Sequence, residues 1–457
     1  MPNLDLSLRD LAAGLRAGRF TALDLWREAR AAMDAHEPRL NAYKLRLDEA
    51  AERAASEADA AFRAGRDLGV LQGIPVSVKD LYGIPGFPVH AGAARELPAK
   101  WREAGPLVQC LLDEHAVITG KTHTVEFAFG GVGLNNHWPT PRNPWDERHH
   151  RVPGGSSSGA GVSLRQGSAI VALGSDTAGS VRLPASLTGN AGYKPTIDRW
   201  PTRGIVPLSR YFDTPGILAR TVEDAYLAAS ELDRRVRAGR PGAIGAAPPP
   251  AALRIGVPAG HFVDECEASI DAAFRAALTR LEAAGHRIVP IDFEEAAEAF
   301  KLWNAGGTVG AELYAFLNAE LPDWIPELDP NVGRRMQLAA TISQDEVARR
   351  KSAFDALAAR AARHFEALDV IATPTVPCPP PRIEEVRDPE GYRAHNLRLL
   401  RNTHTANLLQ LCAITQPAGK DALGLPVGLQ LMGAPMADDR LFEAARAVEK
   451  VLSPPRY

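Results

Sequence analysis

Ala172-Leu-Gly-Ser-Asp-Thr-Ala-Gly-Ser-Val-Arg-Leu-Pro184 is the second of two runs of small residues in this chain. An apolar segment separates it from the first run, Pro153-Gly-Gly-Ser-Ser-Ser-Gly-Ala-Gly161. Composition alone makes the first run typical of a flexible linker. It leads directly into residues 160–164, which favour a helix, and then into an apolar strand. We therefore interpret the first run as a tight turn inside a folded unit.

Ser180 is the stronger nucleophile candidate in the two runs. It closes the turn Asp176-Thr-Ala-Gly-Ser180, whose small residues allow consecutive backbone N–H groups to converge on one point, as in an anion-binding nest. Such a nest can serve as an oxyanion hole, in which the loss of one donor typically costs about 2.7–4 kcal/mol of transition-state stabilisation. The turn is therefore predicted to present a hydroxyl nucleophile beside the groups that stabilise a developing negative charge.

A competing interpretation places the nucleophile at Ser157. Gly155-Ser-Ser-Ser-Gly159 satisfies the G-x-S-x-G pattern of an α/β-hydrolase elbow, which requires a strand immediately before it. His149-His-Arg-Val-Pro153 is a poor strand, and no downstream Asp and His stand out as partners. We favour Ser180 for these reasons.

Lys79 is the candidate base for a serine nucleophile. It ends the apolar stretch Ile74-Pro-Val-Ser-Val-Lys-Asp80, where loss of hydration would lower its pKa and make the neutral amine accessible. Lysine is a known alternative to histidine as the base for serine. The serine–lysine arrangement of penicillin-binding proteins is excluded, because no S-x-x-K occurs in the chain. A lysine at a strand end is, by itself, more often a solvated charge.

Short apolar runs alternate with helical stretches from about residue 69 onward, which predicts an α/β sheet covered by helices. Before that point, residues 1–66 have the apolar spacing of amphipathic helices, and Thr21 with Asp24 forms an approximate capping box. The strand candidates are residues 71–78, 117–119, 170–173, 205–208, 253–257 and 425–432, and the helix candidates are residues 106–114 and 159–166.

Composition excludes several classes of protein. The 457 residues are 45% hydrophobic and 23% charged, which is typical of a globular chain, and the net charge of −3 shows no basic excess for nucleic acid. The near-neutral charge fits a small uncharged substrate. The four cysteines lie far apart, and the chain has neither a signal-peptide pattern nor a membrane-spanning run. We expect a cytoplasmic protein with no nucleic-acid or membrane partner.

The aromatic side chains Trp303, Tyr314, Phe316 and Trp324 lie in a long helical stretch, residues 266–366. Core packing is the more common role for such side chains. The alternative is a pocket wall, since small-molecule sites are lined mainly by apolar and aromatic groups.

Taken together, these segments resemble the amidase signature family of serine hydrolases. Residues 73–80 are similar to its lysine motif, residues 153–161 to its Gly-Gly-Ser-Ser segment and residues 174–184 to its nucleophile segment. Further similarity occurs in Gly192-Tyr-Lys-Pro-Thr196, Asp213-Thr-Pro-Gly216, Leu218-Ala-Arg-Thr-Val-Glu-Asp224 and Gly424-Leu-Pro-Val-Gly-Leu-Gln430. The resemblance covers nearly the whole chain and is weakest over residues 260–365.

The resemblance implies a serine–serine–lysine triad. Ser180 would form the acyl-enzyme, Ser156 would bridge the proton and follow a cis peptide bond, and Lys79 would be the general base. The N–H groups of Thr177, Ala178, Gly179 and Ser180 would form the oxyanion hole. Ser157, Asp176 and Arg182 would support the site from behind, although an Asp176–Arg182 pair with a purely structural part is at least as common. No cofactor is implied.

The segment Glu126-Phe-Ala-Phe-Gly-Gly131 resembles the family's strip over the acyl site. It makes Ala128, Phe129, Gly130 and Gly131 candidate substrate-binding residues. Four histidines lie in the same region, but their spacing suits no standard metal site. They are His123, His137, His149 and His150.

The implied fold is a single large mixed, mostly parallel twisted sheet covered by helices on both faces, with a helical insertion that lines the pocket. Residues 1–66 would be N-terminal helices packed on the core, 67–237 the amidase core, 238–253 a linker, 254–368 a mostly helical substrate-side region and 369–457 the return to the core sheet. Motifs lie on both sides of the linker, which indicates one structural domain overall.

The implied function is hydrolysis of the C–N bond of a small amide. Ala178 replaces a common family glycine, and Ser158-Gly-Ala160 replaces Gly-Gly-Ser, so a carbamate (urethanase activity) or a urea-type substrate is also open. An anilide substrate and an esterase side activity stay open as well. Two other functions stay open. One is the amide-hydrolysing component of a tRNA-dependent amidotransferase, its A subunit. Leu183 and Thr214 count against it, because such subunits usually carry glutamine at these two positions. The other is a catalytically silent protein on the same fold. The oligomeric state is open, with a homodimer as one possibility.

Overall fold

An eleven-stranded mixed β-sheet forms the centre of the computed structural model, which describes residues 2–245 and 248–452. The order across the sheet is β1-β3-β2-β4-β6-β5-β10-β11-β9-β7-β8 once the strands are numbered along the chain. In chain order they are β1 (Tyr43–Arg46), β2 (Pro75–Lys79), β3 (Val117–Thr122), β4 (Val171–Asp176), β5 (Ala191–Lys194), β6 (Thr214–Ala219), β7 (Arg254–Pro258), β8 (Arg287–Ile291), β9 (Val370–Pro374), β10 (Cys412–Lys420) and β11 (Pro426–Gly433).

The mixed sheet is confirmed, but its pairing differs from the expected mostly parallel arrangement. Six neighbouring pairs are antiparallel and four are parallel. A short loop can only reverse the chain, whereas a parallel pair needs a crossover. Residues 421–425 join β10 to β11 in this way, as a hairpin. The other antiparallel pairs bring together strands that are joined by longer stretches of the chain. The parallel pairs form two groups, β3-β2-β4 and β9-β7-β8.

Helices pack against this sheet along its length. For example, the helices Asp48–Arg63, Val222–Val236 and Asp438–Leu452 contact β3, β6 and β10, respectively. The described helices are α1 (Leu8–Arg16), α2 (Ala22–Leu40), α3 (Asp48–Arg63), α4 (Pro106–Asp113), α5 (Ala160–Arg165), α6 (Arg182–Leu187), α7 (Val222–Val236), α8 (Ala268–Ala283), α9 (Glu294–Asn304), α10 (Thr308–Glu320), α11 (Pro330–Ala339), α12 (Gln344–Ala361), α13 (Pro389–Leu400), α14 (His404–Leu408) and α15 (Asp438–Leu452). No helix in residues 2–245 or 248–452 combines the length and apolarity needed to cross a bilayer.

Most local predictions agree with the structure. The capping box at Thr21 and Asp24 is present at the start of α2, and the predicted helices at 106–114 and 159–166 are α4 and α5. The strand predicted at residues 205–208 is wrong, because Ile205 makes only an isolated bridge to Tyr82. Pro207 lies in that run and has no N–H to donate to a ladder.

The predicted linker, residues 238–253, contains no helix or strand among its described residues, and Ala246 and Ala247 lie outside the described residues. It is nevertheless attached to the core. Ile244 is buried, and its N–H donates to the Asp233 carboxylate at 3.1 Å. Arg199 donates to the carbonyl of Gly242 at 2.8 Å. The segment therefore lies against the core at these points.

The mostly helical region, residues 254–368, begins with two sheet strands, β7 and β8, before the four helices α9–α12. The C-terminal region returns to the sheet through β9, β10 and β11, and its last five residues, 453–457, lie outside the described residues. Strand β10 lies between β5 and β11, so segments from before and after residues 238–253 share one sheet.

Candidate active site

Lys79 ends β2 and its side chain is completely buried. Its Nζ donates to the Oγ of Ser156 and to the Oγ of Ser175, each at 2.8 Å. Burial lowers the pKa of Lys79 to about 7, although the charges of Asp213 and Asp176 act in the opposite direction. At neutral pH a large fraction of this amine is therefore uncharged, and an uncharged amine has a lone pair that can accept a proton.

Ser156 lies in the turn before α5, where the peptide bond between Gly155 and Ser156 is cis. Its side chain is fully buried. The Ser156 carbonyl accepts the N–H of Val125 at 3.1 Å, and Gly155 donates to the carbonyl of Gly131 at 2.7 Å. The turn is therefore attached to the segment of residues 125–131.

Ser180 lies in the second turn, between the end of β4 and the start of α6, and it is 4% exposed. The N–H of Ser157 donates to the carbonyl of Ser180 at 3.3 Å, so the two serine turns lie side by side. Gly179 has a φ of 126°, and a Cβ there would overlap the Thr403 side chain. A glycine is needed at this point because Thr403 packs directly on the turn.

The predicted oxyanion donors divide into two groups. Within the described residues, the N–H groups of Thr177, Ala178 and Ser180 donate to no protein acceptor, whereas that of Gly179 donates to Asp176 Oδ1 at 2.8 Å. The expectation for Gly179 is therefore corrected, since its N–H is already used to hold the turn.

Asp176 and Arg182 form the buried ion pair that shapes this turn. The Arg182 guanidinium donates to both carboxylate oxygens of Asp176, at 2.9 and 3.1 Å. Burial by itself raises the pKa of Asp176, but the Arg182 charge and its hydrogen bonds hold the pKa of that carboxyl below its usual range. Arg182 also donates to Gln430 Oε1, Asn407 Oδ1 and the Thr403 carbonyl. The pair thus joins the turn to two distant parts of the chain, the start of α14 and strand β11.

The surroundings of Ser157 do not fit the nucleophile of an α/β-hydrolase elbow. It is fully buried, and its Oγ donates to the Ser175 carbonyl at 3.4 Å. The residues before it, Pro153 to Gly155, contain no strand in the described structure. Ser157 therefore supports the turn next to Ser180.

The segment of Ala128 to Gly131 passes between the serine turns and the helical region. Phe127 and Ala128 have positive φ angles of 47° and 58°, which side-chain-bearing residues rarely adopt. Ala128 lies beside Ser175 and Asp213 on the wall of a small cavity. Gly131 donates its N–H to Asn396 Oδ1 at 2.7 Å.

Phe129 lies on the wall of a second, much larger cavity of about 810 Å³. Trp303 also lines this cavity, as the pocket interpretation predicts, whereas Phe316 and Trp324 pack against Phe127. Tyr314 likewise packs on the main core. The large cavity adjoins the nucleophile turn through Thr403, whose hydroxyl donates to the Ala178 carbonyl at 2.8 Å and lies 3.4 Å from the carbonyl of the wall residue Leu400.

Several side chains of this site could not be assigned a role from the sequence. Ser175 belongs to the nucleophile motif, and its contact with Lys79 follows from the pairing of β2 beside β4. Asp213 belongs to another of the similar segments; it accepts the Thr177 hydroxyl at 2.5 Å, and burial raises its pKa to about 6. Arg335, Tyr392 and Asn396 lie on the large cavity, and no motif marks them.

No group of three or more metal-ligating side chains occurs in the described parts of the chain. The four histidines of residues 123–150 do not form such a group. Burial lowers the pKa of His123 to about 3, and His137 lies 3.1 Å from the carboxylate of Glu126.

Comparisons of the sequence and of the fold with known proteins point to the same family. The family model described as Amidase matches residues 24–442. The 2-amino-5-chloromuconic acid deaminase of Comamonas testosteroni is 49% identical, over 98% of this chain and 96% of that protein. The A subunit of the glutamyl-tRNA(Gln) amidotransferase of Myxococcus xanthus is 30% identical, over 98% of this chain and 97% of that protein. A crystal structure of an amidase has a TM-score of 0.87 at 28% identity, and the match covers 98% of this chain and 100% of that one. The chain therefore belongs to the amidase family, whose enzymes hydrolyse the C–N bonds of amides.

Proposed function

We propose that this protein hydrolyses a small amide through an acyl-enzyme on Ser180, with Ser156 as the proton bridge and Lys79 as the general base. The observation that carries the proposal is the buried contact of 2.8 Å between Lys79 Nζ and Ser156 Oγ. A lysine with a pKa of about 7 is a competent base near neutral pH, since general bases work best when their pKa lies near the operating pH.

The first half of the reaction forms the acyl-enzyme. Ser180 Oγ attacks the carbonyl carbon while its proton passes to Ser156 Oγ, and the proton of Ser156 passes to neutral Lys79. The N–H groups of Thr177, Ala178 and Ser180 stabilise the oxyanion. The tetrahedral intermediate then collapses, the C–N bond breaks, and the nitrogen takes a proton back through Ser156.

The second half releases the acid. Water attacks the Ser180 ester and gives its proton to the same relay, and the C–O bond to Ser180 breaks as the serine takes that proton back. We propose ammonia as the leaving group, because the relative with 49% identity is a deaminase. Primary amides are therefore the first substrates to test.

The experiment is ammonia release by the purified chain from a panel of primary aliphatic amides, anilides, aryl carbamates, ureas and esters. We expect turnover without added metal or partner. Ser180→Ala should reduce kcat by on the order of 10⁴–10⁶-fold, as for nucleophile removal in other serine hydrolases. Ser56→Ala is the control, because Ser56 is exposed on α3 and, within the described residues, its hydroxyl bonds to the Glu52 carbonyl alone. Unchanged turnover in Ser180→Ala would exclude the mechanism.

The A subunit of an amidotransferase is the second candidate, and its support is the 30% identity to such a protein over 98% of the chain. The panel therefore includes glutamine. Glutaminase activity that appears only after companion proteins are added would favour this candidate, whereas amide hydrolysis by the chain alone would favour the first.

A further inference from the structure

The large cavity beside the nucleophile turn has a strongly positive wall. Its charged lining residues are four arginines, Arg334, Arg335, Arg350 and Arg393, and none of its described lining residues is acidic. Arg350 is already paired with Glu346. The cavity wall is therefore positive, although the net charge of the whole chain is −3. The expectation of an uncharged substrate rested on that whole-chain value, which does not describe the cavity.

Arg335 stands out among these arginines because it is half-buried and has no acidic partner among the described residues. Its guanidinium lies 3.3 Å from the centre of the Phe129 ring and donates to the Phe129 carbonyl at 2.9 Å. Burial lowers the pKa of Arg335 to about 10, so the group remains a cation at neutral pH. A cation held in a cavity without a counter-charge favours an anionic ligand.

Two further polar side chains line the same cavity from α13. Tyr392 and Asn396 are four residues apart, so they share one face of the helix. The Tyr392 hydroxyl is buried and has no hydrogen-bond partner in the described structure. Asn396 uses its Oδ1 to accept the Gly131 N–H, and its amide N–H₂ group donates to no acceptor among the described residues.

The three side chains converge on three consecutive residues. Arg335 bonds to Phe129, the Tyr392 hydroxyl lies against Gly130, where a Cβ would overlap it, and Asn396 bonds to Gly131. The Gly131 carbonyl in turn accepts the N–H of Gly155, the residue before Ser156. The three side chains therefore contact the segment that borders the proposed triad.

We propose that Arg335, Tyr392 and Asn396 form a carboxylate-binding subsite, so that the substrate is a small acid whose carboxylate lies here while its C–N bond reaches Ser180. This inference rests on the proposed function of the triad. A guanidinium fork, a phenol and an amide N–H₂ together supply donors to both oxygens of a carboxylate. A neutral amide would leave the guanidinium without a counter-charge.

The first test measures binding without turnover. Adipate and its neutral analogue adipamide are titrated calorimetrically into Ser180→Ala protein at pH 8 and low ionic strength. We expect adipate to bind and adipamide to bind more weakly. Arg335→Gln, in the same background, should weaken adipate about 10- to 100-fold, the usual value of a hydrogen bond to a charged group, and Arg335→Lys should weaken it less.

Two variants keep this test independent of misfolding. Tyr392→Phe removes only the unpartnered hydroxyl and should weaken adipate several-fold without affecting adipamide. Arg349→Gln is the charge-matched control, because Arg349 is exposed, pairs with Glu346 and does not line the cavity. Equal binding of adipate and adipamide, or equal losses in Arg335→Gln and Arg349→Gln, would overturn the subsite.

The second test separates the subsite from the triad. Hydrolysis of adipamic acid is compared with that of adipamide, and the shorter succinamic and glutaramic acids report the distance between the two sites. We expect a higher kcat/KM for one of the acids, lost in Arg335→Gln mainly through KM. Equal hydrolysis of acids and diamide overturns the subsite alone. Adipate binding that depends on Arg335, without hydrolysis of any amide, overturns the triad assignment and leaves the subsite in place.

Discussion

Three lysines are buried in the described structure, and their partners differ in a way that decides which one can act as a base. Lys121 pairs with the Asp80 carboxylate at 2.7 Å, and Lys194 donates to the Pro195 carbonyl at 2.6 Å. Lys79 contacts two serine hydroxyls and no carboxylate directly. A hydroxyl partner can give up a proton, whereas a carboxylate partner stabilises the charged lysine.

The activity should therefore follow the titration of Lys79. Its pKa of about 7 means that the protonated form, which has no lone pair, dominates below pH 7. For an uncharged substrate we expect kcat/KM to fall about tenfold per pH unit below 7 and to level off above about pH 8. Lys79→Arg should stay inactive across this range, because a guanidinium remains protonated. A flat profile of the native enzyme between about pH 6 and 9 would contradict the assignment.

Asp213 provides a second readout of the same titration. Its negative charge raises the pKa of Lys79, so Asp213→Asn should move the acidic limb of the profile to lower pH. Thr177→Val removes the 2.5 Å hydrogen bond that lowers the pKa of Asp213, and it leaves the carboxyl in place. Because the pKa of Asp213 then rises, we expect the limb to move in the same direction but less far than in Asp213→Asn. A limb that stays in place in Asp213→Asn would contradict the coupling between the two groups.

The unpartnered Tyr392 hydroxyl makes a prediction about stability. A buried polar group without a partner costs free energy, so Tyr392→Phe should leave the free energy of unfolding unchanged or raise it by about 1 kcal/mol. Tyr193→Phe is the matched control, because the Tyr193 hydroxyl donates to Asp438 at 2.7 Å in the core. That variant should lose about 1–3 kcal/mol. Urea unfolding measures both, and equal losses would show that Tyr392 has a partner.

At the scale of elements, the nucleophile turn is positioned by groups that are far away in the sequence. The Asp176–Arg182 pair connects the end of β4 to Gln430 on β11 and to Asn407 on α14. The turn motif itself could be predicted from the sequence, because its small residues and charged flanks are local. Its partners could not, since Gln430 and Asn407 follow Arg182 by more than 220 residues and meet it only through the strand order.

Removal of Arg182 should therefore damage the fold as well as the site. Arg182→Met leaves the Asp176 carboxylate buried without its counter-charge, and we expect a loss of about 3–5 kcal/mol in the free energy of unfolding. The control is Arg16→Met, which breaks an exposed pair with Asp67 and should cost no more than about 1 kcal/mol. Chemical denaturation distinguishes the two, and a small loss in Arg182→Met would show that Asp176 becomes protonated or hydrated.

On the scale of the whole molecule, the linker separates the chain in sequence but not in the sheet. Strand β10 pairs with β5 on one side and with β11 on the other. Motif positions on both sides of the linker predicted this return. The short strand β1 could not be predicted from the sequence, because four residues show too little periodicity. The directions of strand pairing could not be predicted either, because they depend on connections between distant elements.

The same interleaving predicts cooperative behaviour. Arg199 is fully buried and pairs with Asp233 on α7 at 2.7 Å and with Asp438 on α15 at 3.2 Å, so the segments before and after the linker share one ionic cluster. We expect a single unfolding transition, with equal midpoints from circular dichroism and tryptophan fluorescence.

A cut in the linker tests this organisation directly. A specific protease site inserted between Gly245 and Pro248 would allow cleavage of the folded protein. Because β10 pairs with β5 across the cut, separation of the fragments would expose a long unpaired strand edge and the buried charge of Arg199. We therefore expect the cleaved chain to elute as one species in size-exclusion chromatography and to keep its activity. The uncut insertion variant is the control, and fragments that separate without denaturant would show that the two segments fold as independent domains.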